Sequence, residues 1–125
     1  NWLNREFLNR AFSNFEKRLI QSTIMPESPA GLPIQDQVFL LSYKEAFEKY
    51  FPDDESRCCF PTQYAEKQGA PTSLKKEAAW WLRSSHNSEG VMQCVVMKGK
   101  LGIYLVETNL CVRPALWVKL DPELV

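Results

Sequence analysis

The chain has 125 residues, enough for one domain with a buried core, and its 15 basic side chains balance 15 acidic ones. Zero net charge leaves no single-sign footprint for nucleic acid or an anionic membrane surface. An apolar fraction of 45% excludes disorder, and the longest apolar run, Ala78 to Leu82, is too short for a membrane-spanning helix.

The first third reads as helical. Asn1 can cap a helix that carries Trp2, Leu3, Phe7 and Ala11 on one side. Ser13 and Glu16 have capping-box spacing, in which the hydroxyl accepts an orphan amide and the carboxylate reaches back. That box opens a short helix expected to turn Phe15, Leu19 and Ile20 inward. Pro26, Pro29, Gly31 and Pro33 then make a loop. Val38 to Leu41 reads as a short buried strand. Ser42 and Glu45 repeat the capping box and launch a helix that buries Ala46, Phe47 and Tyr50, ended by Pro52, Asp53 and Asp54. Pro61 and Thr62 start another short helix, stopped by Gly69.

From Ala79 the period changes to strands and turns. Val91 to Lys98 and Leu101 to Glu107 flank Gly99, a hairpin signal. A two-residue turn there, either Lys98-Gly99 or Gly99-Lys100, pairs even positions of the first strand with odd positions of the second. Met92, Cys94 and Val96 would then share an apolar face with Leu101, Ile103 and Leu105. The expected core joins Leu82, Cys94, Val96, Ile103, Leu105 and Leu116 to Phe39 and Phe47. Ala115 to Leu120 reads as a last strand, with Pro114 at its start. Helices followed by an antiparallel sheet give the α+β class in a single domain, 1–125.

Chemistry-bearing motifs are sparse. The single histidine, His86, argues against multi-His zinc catalysis. Cys58, Cys59, Cys94 and Cys111 lack C-x-x-C spacing; packed thiols are expected, with a Cys94–Cys111 bridge between neighbouring strands as the alternative. Asp53, Asp54 and Glu55 lack the alternate spacing of a calcium loop and read as a solvated turn. No nucleophile elbow, phosphate-binding glycine loop or H-E-x-x-H is present. His86 with Cys94 or Cys111 is the one conceivable thiol–imidazole pair, so a thiol-dependent hydrolase is the low-weight alternative. No cofactor or metal is expected.

Six ordered segments carry a resemblance: Trp2 to Phe12, Glu16 to Ile20, Val38 to Ala46, Pro61 to Ala70, Trp80 to Ser84 (W-W-L-R-S) and Val112 to Trp117 (V-R-P-A-L-W). Together they resemble an uncharacterised bacterial family of domains of unknown function (DUF6273-like), common in surface and secreted proteins of anaerobic gut bacteria. Cys111 stands where the family usually has Gly, and Ser85 where Pro is usual. The family usually begins earlier, with strands ahead of the W-L-N helix, so this chain is expected to be N-terminally incomplete. The spacing from W-L-R-S to V-R-P-A-L is also similar to the end of C-type-lectin-like domains. That similarity implies a small twisted antiparallel sheet, flanking helices and long loops that present a binding surface. The family resemblance implies an extracellular or cell-surface setting and no known catalytic residue.

Within this frame Trp80, Leu82, Arg83, Arg113, Pro114 and Trp117 form a structural signature, and each arginine is expected to brace a loop or pair with an internal carboxylate. Of the adjacent Trp80 and Trp81, at most one can face solvent on a strand. Loops held by a sheet carry binding more often than the sheet does. The candidate ligand-binding residues are therefore Ser85, His86, Asn87, Ser88 and Glu89 after the first signature, and Glu107, Thr108 and Asn109 before the second. Trp81 is expected to supply an apolar floor beside them. The expected function is a non-catalytic binding or display module for a carbohydrate or protein ligand. The alternative is a structural or assembly domain, including a homodimer through a sheet edge near Ala115 to Leu120.

Overall fold

The computed structural model describes residues 2–25, 34–86 and 89–120. The Pro26–Pro33 loop, Asn87 and Ser88 lie outside these residues, as does the expected cap Asn1. Helices and two small antiparallel sheets make the fold α+β. The chain forms two compact units, one built from residues up to Phe39 with Pro114 onward, the other from Leu40–Arg113.

In the first unit a π-helical turn, Leu3–Phe7, runs into the α-helix Leu8–Ala11, together α1. The helix α2 spans Asn14–Leu19, and Ser13 and Glu16 form the expected capping box. Leu8, Ile20 and Val38 make the buried cluster, flanked by Leu3, Phe7, Phe12 and Leu116. The inward expectation fails for Phe15, which is exposed under the Arg18 guanidinium, and of the residues expected on one side of the first helix Trp2 and Ala11 are exposed. A hairpin absent from the sequence reading, β1 (Thr23–Met25) and β2 (Ile34–Asp36), precedes the expected strand at Val38.

That strand does not form a ladder. The Asn4 side chain accepts from the Gln37 and Val38 amides and donates to Val38 O at 2.8 Å, taking the place of a neighbouring strand. Only Phe39 makes a bridge, exchanging two bonds with Ala115. Ala115 to Leu120 is likewise no continuous strand. It touches down at Ala115 and at Val118, which bridges Ile20, while Gln21 N–H donates to Trp117 O.

In the second unit Ser42 is fully buried and forms the expected box with Glu45, opening a helical turn at residues 43–44 that runs into the π-helix α3 (Glu45–Tyr50). Pro52 ends the helix, but Asp53 does more than terminate. It accepts from Ser56 N–H and starts α4 (Asp54–Arg57). Thr62 caps α5 (Gln63–Lys67), and Gly69 closes it at φ +86°. The sheet has strand order β3 (Trp80–Ser85), β4 (Val91–Val95), β5 (Leu101–Leu105).

The β4–β5 hairpin exists, but it pairs odd positions with odd and even with even, not even with odd as either two-residue turn requires. Val91 pairs with Leu105, Met92 with Tyr104, Gln93 with Ile103, Cys94 with Gly102 and Val95 with Leu101. The turn is the cause. It uses three residues, Met97–Gly99, rather than two, and Lys98 takes the left-handed conformation (φ 74°, ψ 7°). Ile103 and Leu105 are therefore exposed rather than core, whereas Leu82, Cys94 and Phe39 are buried as expected. Val96, Phe47 and Leu116 are half-buried.

Candidate functional site

The β4–β5 ladder begins at Val91 and Leu105, so the loop entering β4 and the turn leaving β5 share one end of the sheet. Val106 N–H donates to Gly90 O at 2.9 Å and ties the two together. On the first loop Ser85 and Glu89 are exposed, His86 is half-buried, and His86 N–H donates to Val91 O. Gly90, at φ +76°, supplies the left-handed residue before β4. On the second, Thr108 N–H closes a turn onto Leu105 O, leaving Glu107 and Asn109 exposed and Thr108 half-buried. Asn87 and Ser88 fall between the described residues.

The tryptophans divide as strand geometry requires. Trp80 is fully buried, its indole N–H donating to Arg57 O, and Trp81 is half-buried. Trp81 pairs with Cys94, four β4 residues from Gly90, or about 13 Å along the strand. It is thus not immediately beside the loops. The nearer aromatic is Tyr104, which sequence reasoning missed. Ser85 pairs with Met92 and Met92 with Tyr104, so these three stand in one row across the sheet, two residues from Gly90 and Val106. Tyr104 is exposed and shares its face with Trp81. The correct register, which sets Tyr104 beside Met92, is the signal that would have found it.

Three arginines organise the unit's interior. Arg83 Nη1 donates to Leu40 O at 2.6 Å and pairs with Glu45 at 2.7 Å, while Arg83 N–H donates to Leu41 O. Burial pushes the Glu45 carboxyl up, but the Ser42 amide and the Arg83 guanidinium outweigh it and hold the group below its ordinary value. The Arg113 guanidinium lies over the rings of Phe51 and Trp80, at 4.7 and 4.8 Å from their centroids. Arg57, which the sequence did not single out, is buried. It donates to Gly99 O, Phe51 O and Asp54, with its guanidinium over Phe47. Pro114 and Trp117 are exposed in the first unit, Trp117 offering its carbonyl to Gln21.

Cys58, Cys94 and Cys111 are held toward the thiol form. The Cys58 thiol is pushed up to about 11 by its hydrogen bond to Glu77, with burial adding to the effect. Burial alone raises Cys94 to about 11, and raises Cys111 as well. Among the described residues no hydrogen bond joins His86 to a cysteine; Cys58 Sγ faces Asp54 O and Cys59 Sγ faces Phe60 O. All four cysteines are free. Cys94 sits on β4 and Cys111 bonds the opposite side of β3, at Ala79 and Trp81. With a strand between them their Cα atoms are about 9–10 Å apart, beyond disulfide reach, so the alternative of a Cys94–Cys111 bridge is ruled out. No cluster of three or more metal-ligating side chains occurs among the described residues, and no described helix is long and apolar enough to cross a membrane.

No curated protein and no solved structure matches the chain. A family profile does, over residues 1–120, and its description is domain of unknown function. With nearly the whole sequence matched, the chain belongs to the DUF6273 family.

Proposed function

We propose that the chain is a non-catalytic binding or display module whose working surface is the end of the sheet formed by residues 85–86, 89–90 and 106–109. The observation that carries this reading is the Val106–Gly90 hydrogen bond, which makes one surface of two polar loops distant in sequence. Ser85, Glu89, Glu107 and Asn109 offer short polar groups of both donor and acceptor type, suited to hydroxyl recognition. Tyr104, and farther along the same face Trp81, offer aromatic surface on which the apolar face of a pyranose can stack. A glycan is the ligand this chemistry fits first, and a hydroxyl-rich protein surface the second.

The raised pKa values of Cys58, Cys94 and Cys111 favour the non-catalytic reading over a thiol hydrolase. A C-type-lectin-like organisation, in which loops beyond a small antiparallel sheet present the ligand site, agrees with this placement, as does an extracellular or cell-surface setting. The first comes from the resemblance of the W-L-R-S and V-R-P-A-L segments, the second from the family resemblance. A glycan array probed with the purified chain, with and without added calcium, tests the proposal. Saturable binding to a related set of glycans is the expected result, and binding to none of them counts against a glycan ligand.

A further inference from the structure

We propose that two copies of this chain pair antiparallel through the outer edge of β5, with Ile103 of each copy facing Ile103 of the other. The proposal concerns the second unit alone and is independent of the ligand reading. β5 is the last strand of its sheet, and no further strand pairs with its outer side among the described residues. The backbone bonds of the hairpin fall on even positions: Val96 N–H donates to Lys100 O and Val106 N–H to Gly90 O. Antiparallel ladders alternate, so Gly102 and Tyr104 bond to β4 while Leu101 and Ile103 turn their N–H and C=O groups outward.

Such an edge templates another strand unless something blunts it. The usual protections are a proline, a charged side chain or a bulge. None occurs between Leu101 and Val106, and the register with β4 is unbroken. Instead the outward-turned positions Leu101 and Ile103, and Leu105 whose carbonyl already accepts from Thr108 N–H, carry apolar side chains that remain exposed, at 43%, 46% and 59%.

A second copy fits this edge for two reasons. Leu101 and Leu105 lie equally far from Ile103, so pairing about Ile103 sets Leu101 of one copy opposite Leu105 of the other. The apolar stripe then runs across the seam. Charge favours one direction. The hairpin tip carries the exposed Lys98, Lys100 being paired with Asp54, and the opposite end carries the exposed Glu89 and Glu107. Antiparallel pairing lays each Lys98 toward the other copy's acidic end, whereas parallel pairing sets Lys98 against Lys98. The resulting contact is two-fold and isologous, so it closes at a dimer.

Facing residues of a hydrogen-bonded antiparallel pair have Cα atoms about 5.5 Å apart, within disulfide range. Ile103→Cys should therefore link two copies covalently on mild oxidation. Tyr104→Cys should not, because Gly102 of the second copy would stand opposite it. The parent chain, oxidised alongside, accounts for its own thiols. Ile103→Pro removes only an outward N–H, and Leu105→Lys places charge on an exposed position, so both should keep the fold, checked by circular dichroism. Sedimentation equilibrium is expected to show a reversible dimer for the parent and loss of that dimer in both variants. A parent monomeric at every concentration, a dimer that survives both variants, or cross-linking at Tyr104→Cys equal to that at Ile103→Cys would overturn the proposal.

Discussion

The carbonyl of Gly99, at the tip of the β4–β5 hairpin, accepts a hydrogen bond at 2.8 Å from Nε of Arg57 in α4. Lys100 adds an ion pair to Asp54 at 2.6 Å, and the Lys98 backbone bonds the Glu77 carboxylate. The tip is thereby fastened to α4 and to the turn before β3. The far end of the same hairpin carries Gly90 and Val106, so the candidate binding loops extend from a strand pair held at its other end.

Replacing Arg57 by Met should cost about 3 kcal/mol in chemical denaturation, because the carbonyls of Gly99 and Phe51 lose their buried donor. Arg57→Lys should not restore the loss, since an ammonium cannot present the guanidinium's fork to partners on three sides.

Gly99→Ala and Gly90→Ala separate close approach from backbone strain. Both glycines have positive φ, but a Cβ at Gly99 would lie 1.9 Å from Asp54 O, while one at Gly90 meets nothing within 4 Å. Gly90→Ala should cost about 1 kcal/mol and Gly99→Ala more than about 3 kcal/mol, read from the same denaturation curves.

Several carboxylates are held below their ordinary values: Glu77 by the Cys58 thiol and the Lys98 amide, Asp54 by Lys100 and Arg57, Glu45 by the balance with Arg83 described above. A depressed folded-state pKa contributes stability that is present above the unfolded value and lost as pH falls through the folded one. Melting temperature should therefore fall as pH drops below about 4.5, the ordinary glutamate value. Glu45→Gln should flatten that acid limb and lower the plateau at neutral pH.

Cys58 and Cys94 should alkylate slowly with iodoacetamide at about pH 8, because thiols raised to about 11 hold little thiolate there. Rapid labelling of either by mass spectrometry would reopen thiol chemistry.

Local signals in the sequence carried most of the correct expectations. The Ser13–Glu16 and Ser42–Glu45 boxes, the Thr62 cap and the Gly69 stop are short-range chemistry, and each stands where its residues predict. The hairpin was legible as an element but not in register, because Lys98 adopts a left-handed conformation that composition does not announce. Asp53 and Ser56 form a capping box with the acid first, so α4 looked like a solvated turn. Val38 and Ala115 looked like strands from apolarity, yet a side chain, Asn4, satisfies the backbone at Val38. The candidate loops were legible from their polarity between two apolar strands. Tyr104 and the Arg57 clamp were not, since both depend on contacts remote in sequence.

The most direct test of the binding reading compares two sets of substitutions on the glycan array. Tyr104→Ala with Glu107→Ala and Asn109→Ala removes exposed groups at the loop end, whereas Lys98→Ala alters the opposite end of the same hairpin. The account predicts that the triple variant loses most binding at an unchanged melting temperature, while Lys98→Ala binds as the parent does. Full binding by the triple variant, or loss confined to Lys98→Ala, would contradict it.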